Sequence, residues 1–172
     1  MRVKNREVNM KTKYLTKASL IAAIYIVLVL IQMLPVPFIN LTFGPIQLRV
    51  AEGLALLPLV ESAAVPGIFV GCLLANLLLA PYSGFGLVDI LGGSLVTLVA
   101  AYITSKMKNK ITGMIPPVVL NGLIVSIWVS YFTKVPYLVT VLGIGGGELL
   151  SVAIFGSIIL SVYDKATNLK EY

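Results

Sequence analysis

The chain contains no histidine and a single cysteine, Cys72, and only 12% of its 172 residues are charged. Without imidazole or a second thiol there is no Cys/His zinc set, no Ser-His-Asp triad and no intrachain disulfide, because each needs groups that are missing. Charge is also scarce for a water-soluble protein, in which about a quarter of residues are Asp, Glu, Lys or Arg. A soluble globular enzyme is excluded on these grounds, and any chemistry must come from very few side chains.

What fills the chain instead is apolar: 58% of residues are hydrophobic and the mean hydropathy is +0.98. A helix crossing a hydrocarbon core of roughly 30 Å needs about 20 mostly apolar residues. Runs bounded by Pro, Gly or Lys predict six spans, over residues 14–34, 48–60, 63–80, 87–104, 115–132 and 137–161. The second is short, and Pro58 weakens it. Pro35 and Pro37 end the first, while Pro66 falls in the first turn of the third, where its missing N–H costs least. The expected architecture is an all-α integral membrane protein, a bundle of six transmembrane helices. Residues 1–13 form a basic tail, 14–163 the transmembrane domain, and 164–172 a second tail.

The cations orient this domain, since short cytoplasmic loops collect Lys and Arg. Arg2, Lys4, Arg6, Lys11, Lys13 and Lys17 lie near the N-terminus, Lys106, Lys108 and Lys110 follow span four, and Lys165 and Lys170 lie near the C-terminus. Only Lys134 falls in a loop on the other side, and Arg49 lies within a span. Both termini are therefore expected in the cytoplasm of a multi-pass cell-membrane protein, and topology accounts for the net charge of +6 without nucleic acid. The basic stretch before an apolar run suggests a retained first helix rather than a secretory signal, as Pro35-Val36-Pro37 follows with no small-residue cleavage pattern.

Four of the seven acids, Glu52, Glu61, Asp89 and Glu148, fall inside or at the edge of apolar spans. A charge near the bilayer centre costs about 2.5–3.5 kcal/mol on insertion scales, so these groups should face a cavity, a partner charge or a water path. Gln47, Arg49 and Glu52, with Asn76 and Asp89, lie at similar depth in the outer half and could converge on one outward pocket. Arg49 and Glu52 share a helix face at i, i+3, which suits either a structural ion pair or a ligand. Glu61 falls on the opposite face near the cytoplasmic end, where it would cap the inner turn or touch a partner. Glu148 follows Gly143-Ile144-Gly145-Gly146-Gly147, a run that either lets helices approach or unwinds beside a cavity; the adjacent carboxylate favours unwinding. Asn121 suits an interhelical hydrogen bond or a gate. Gly67, Gly71 and Ala75, and Ala18 with Ala22, form small-residue faces for helix packing or for a membrane partner. No G-x-x-x-x-G-K-[ST] loop occurs, so the chain is not expected to hydrolyse ATP itself.

The segments Ala18 to Ala23, Phe43 to Glu52, Pro66 to Asn76 and Gly145 to Leu149 together resemble queuosine-precursor transporters of the QueT type, substrate-binding (S) components of energy-coupling factor (ECF) transporters. The resemblance implies a non-enzymatic membrane protein without a cofactor or metal. It would capture a 7-deazaguanine, such as the aminomethyl pre-queuosine base or queuine, from outside. It further implies a transmembrane T protein and two cytoplasmic ATPases as partners, with the A-x-x-x-A pair Ala18 and Ala22 meeting the T protein. Glu52, Asp89 and Glu148 would supply acceptors to such a base, and Arg49, Gln47 and Asn76 donors, with Phe43 or Tyr82 stacking on it or anchoring at the interface. An S component for another vitamin or nucleobase, and an ion-coupled solute carrier, are the rival readings; an intramembrane enzyme would need a nucleophile and base that cannot be recognised.

Overall fold

A computed structural model of the chain describes residues 2–34 and 47–167, and within them six helices and no strand. These are α1 (Arg2–Met33), α2 (Val50–Leu59), α3 (Ala64–Ser83), α4 (Val88–Thr104), α5 (Lys110–Thr133) and α6 (Tyr137–Thr167). The spans expected at 14–34 and 115–132 therefore begin earlier, with α1 continuing back to Arg2 and α5 capped at Asn109, whose side chain accepts the Thr112 N–H at 3.0 Å.

Four helices, Asn9–Met33 of α1, α3, α5 and α6, are long and apolar enough to cross a membrane. Two are not. α2 is wound as a 3-10 helix of 10 residues, about 20 Å long at a 2.0 Å rise, so it is a buried element shorter than a full span. α4 opens with a π turn, Val88–Gly93, before becoming α-helical at Ser94. Similar π turns interrupt α5 at Asn121–Val125 and α6 at Val152–Gly156, and such one-turn insertions recur at functional sites.

Small residues set the close contact of α1 against α3. A side chain at Gly67 would meet the Ala18 carbonyl at 2.8 Å, and one at Gly71 would meet Tyr25 Cβ at 2.7 Å and the Ala22 carbonyl at 3.0 Å. Ala22 is buried there and Ala18 half-buried, so in the chain alone this pair serves internal packing, while Ser19 and Ala23 beside it are exposed. Above this seam Tyr25, Leu54, Leu56, Ile68, Cys72 and Val152 form the main core.

Proline leaves a visible repair in α5. Pro117 has no N–H to offer the Gly113 carbonyl four residues back, and Thr104 Oγ1 of α4 donates to that carbonyl instead at 3.1 Å. The Tyr14–Lys17 turn of α1, the α2–α3 junction and the last turns of α6 meet at one end. There Glu61 accepts from Lys17, from Tyr163 Oη at 2.7 Å and from the Ala63 N–H at 3.1 Å. Leu59 packs under Gly113 at the same end, which brings the Lys106–Lys110 connection close by. Burial alone would raise the Glu61 carboxyl, but its hydrogen bonds from Lys17, Tyr163 and Ala63 outweigh that and hold it below the usual carboxylate value.

Candidate ligand-binding site

The polar residues predicted from sequence gather in the half of the molecule away from the Glu61 end. The chain enters α2 through an extended segment, residues 47–49, whose backbone is held from two sides. Gln32 of α1 accepts the Val50 N–H at 2.8 Å and donates to the Leu48 carbonyl. Ser151 of α6 accepts the Arg49 N–H at 3.0 Å while donating to the Gly147 carbonyl at 2.8 Å. A β-carbon on Gly147 would come within 1.7 Å of the Gln47 carbonyl oxygen, so the segment lies directly on α6.

This contact corrects one expectation. The glycine run does not unwind: Tyr137–Ser151 is continuous α-helix, and its glycines admit neighbours. Gly147 receives the Gln47 backbone, and Gly145 lies against Gly122 of α5, where an added Cβ would meet the Gly145 Cα at 3.2 Å. That approach brings Asn121 within reach of Glu148, whose Oε1 accepts from Asn121 Nδ2 at 3.0 Å.

Glu52, on the first turn of α2, is 1% exposed. Tyr25 Oη donates to its Oε1 at 2.6 Å, and Arg49 Nη1 lies 3.7 Å from the same oxygen. Its other oxygen, Oε2, is buried with no hydrogen-bond partner among the described residues. Arg49 turns its Nη2 toward Asn76 Oδ1 at 3.5 Å, a long contact for a guanidinium. Asn76 Nδ2 donates to the Asp89 carbonyl at 3.0 Å, and the Asp89 carboxylate accepts from Trp128 Nε1 at 3.1 Å. Gly93 leaves room for this junction, since its Cβ would meet Asn76 Nδ2 at 3.2 Å.

Glu52, Arg49, Asn76 and Asp89 thus form one connected cluster across α2, α3 and α4. Gln47, buried at the mouth of α2, and Glu148 border it through the α6 contact. Phe43 lies outside the described residues. Tyr82 is 70% exposed at the surface and is not part of the cluster. Tyr25, Gln32, Trp128 and Ser151 are not singled out by residue type or spacing. The one Trp of the chain, in an apolar span, carried a usable signal, because a buried indole N–H needs an acceptor.

Chemically the cluster combines an oriented carboxylate with a spare oxygen, a guanidinium whose five N–H donors are sparsely engaged, and amide groups. It suits a flat polar molecule carrying both donors and a carbonyl. Among the described residues no three His, Cys, Asp or Glu side chains are grouped to hold a metal ion. No curated protein and no solved structure matched the chain. A family model described as QueT transporter does match, over residues 15–165, and with nearly the whole chain covered, this protein belongs to the QueT transporter family.

Proposed function

We propose that this transporter is the S component of an ECF-type system, and that its polar cluster binds a 7-deazaguanine such as the aminomethyl pre-queuosine base or queuine. The observation that carries the reading is Glu52 Oε2, buried without a hydrogen-bond partner among the described residues. A buried carboxylate oxygen without a donor is costly, about 1–3 kcal/mol or more for a charged group. A ligand that supplies the donor relieves that cost on binding.

A guanine-like edge offers adjacent ring N–H and exocyclic amine donors beside a carbonyl acceptor. Glu52, fixed by Tyr25, accepts from the donors, and Arg49 with Asn76 faces the carbonyl. Glu148 and Asp89 remain for an ammonium substituent, which a second carboxylate would neutralise in low dielectric. Gln47 borders the base, and Phe43 is the stacking candidate.

The cation pattern supports a topology with both termini and the Lys106–Lys110 loop in the cytoplasm, which would set the cluster in the outer half of the cell membrane, ready to capture solute from outside. A T protein and two ATPases supply the energy. Since α3 covers much of Ala18 and Ala22, the T protein would meet α1 over the exposed edge of that stretch, including Ser19 and Ala23.

Isothermal titration of the purified chain with the aminomethyl 7-deazaguanine tests the assignment. Glu52→Gln should weaken binding by more than tenfold, about 1.4 kcal/mol. Wild-type affinity in that variant would remove Glu52 from the site and the proposal with it.

A further inference from the structure

Away from the polar cluster, α1, α2 and α6 enclose an open groove of about 510 Å³. Its walls are Leu20, Ile24 and Leu28 of α1, Leu54 of α2, and Phe155 and Ile158 of α6, with Lys17, Glu61 and Tyr163 at one end. The groove exists because α2 is too short and too tightly wound to fill the space between its two long neighbours. Nothing in the base-binding reading uses it.

We propose that this groove binds one acyl chain of an anionic phospholipid from the leaflet at the basic end. Length is the first argument. From Lys17 to Leu28 the wall runs eleven residues along α1, about 16 Å at 1.5 Å per residue. Half of a hydrocarbon core of roughly 30 Å is about 15 Å, so the groove extends from headgroup level to the bilayer centre and fits a single leaflet.

Charge is the second argument. Lys17 is 53% exposed at the mouth, and its ammonium has three donors, of which Glu61 takes one. Lys13 stands one helical turn further out on the same face of α1 and is exposed. Glu61 is the acid facing Lys17, so the two lysines leave the mouth net positive. An anionic phospholipid satisfies both the apolar walls, with its acyl chain, and this basic mouth, with its phosphate, whereas in a zwitterionic headgroup the ammonium offsets the phosphate charge and weakens its attraction to the lysines.

The test is native mass spectrometry of the full chain in mild detergent, titrated with palmitoyl-oleoyl phosphatidylglycerol and, separately, the matching phosphatidylcholine. One phosphatidylglycerol should be retained, with affinity about fivefold above phosphatidylcholine, the gain expected from the one net positive charge that Lys13 and Lys17 leave beside Glu61. Ile24→Trp, which fills the groove, should lose the retained lipid, and Leu95→Trp on the exposed face of α4 should keep it. Lys13→Glu changes an exposed side chain, so folding is not at issue, and it should abolish the headgroup preference. Equal retention of both lipids overturns the proposal, as does wild-type lipid binding by Ile24→Trp. If that variant keeps its lipid but no longer joins partner membrane subunits, the groove seats a protein helix and the lipid assignment is wrong. Base binding reports independently, because Ile24 and Lys13 lie outside the polar cluster.

Discussion

At the scale of single residues, the site is organised around one hydrogen bond. Tyr25 holds Glu52 Oε1 at 2.6 Å, while Oε2 has no partner among the described residues, so in the proposed site the phenol decides which oxygen a ligand meets. Tyr25→Phe should keep the ring packing, loosen that orientation and weaken base binding by about three- to tenfold, less than the full worth of a hydrogen bond to a charged group because the phenol acts on the ligand only through the carboxylate. Titration of Tyr25→Phe beside Glu52→Gln measures this, and equal affinity in Tyr25→Phe and wild type would show that the carboxylate needs no such support. Trp128 gives an optical reading of the same site. It is the only Trp in the chain and donates to Asp89 at 3.1 Å. Ligand that draws on Asp89 should shift its emission, and the shift should vanish in Asp89→Asn. Emission that stays constant at saturating ligand would place Asp89 outside the contact set.

Among whole elements, glycines of one run play different parts, and substitution separates them. Gly147 touches the Gln47 carbonyl, a backbone atom that cannot swing aside, whereas a Cβ on Gly146 would meet nothing within 4 Å. Gly147→Ala should push residues 47–49 off α6, break the Ser151 to Arg49 bond and cost more than tenfold in affinity. Gly146→Ala should bind normally and gain up to about 1 kcal/mol of helix stability. A thermal-shift series with and without ligand checks both, and equal behaviour of the two variants would refute the close-contact account. This pair also shows what was legible beforehand. Hydropathy located all six helices, and the scarcity of charge singled out Arg49, Glu52, Asn76, Asp89 and Glu148, because a polar group in an apolar span is conspicuous. Composition did not reveal the 3-10 winding of α2, which depends on the tertiary slot between α1 and α6. Nor could it decide whether a glycine run unwinds or packs, since both uses need the same missing Cβ and only the neighbouring backbone tells them apart. Tyr25 and Ser151 were hidden for a related reason: a Tyr or Ser in a helix is ordinary until its partner is known.

Across the whole molecule, polarity is divided between two stations, and the second responds to pH. Glu61 ties α1, the α2–α3 junction and α6 together through Lys17, Ala63 and Tyr163. Its carboxyl is held below the usual value in the folded chain, whereas in an unfolded chain a Glu titrates near about 4.3. The folded state therefore binds this proton less readily than the unfolded one, and acidification favours unfolding. The contribution is fully present above about pH 4.3 and is lost as pH falls through the lower folded value. Because Lys17 is half in water, the pair is worth less than about 1 kcal/mol, and the expected effect is a drop of a few degrees in melting temperature. Glu61→Gln should show that drop already at neutral pH and lose part of the acid dependence, while leaving base affinity unchanged, since the polar cluster lies in the other half of the molecule. Melting curves from pH 7 to pH 4 for both chains decide it. If Glu61→Gln keeps the full acid slope of the wild type, Glu61 is not the source of that loss, and the tie between α1, the α2–α3 junction and α6 holds without the charge.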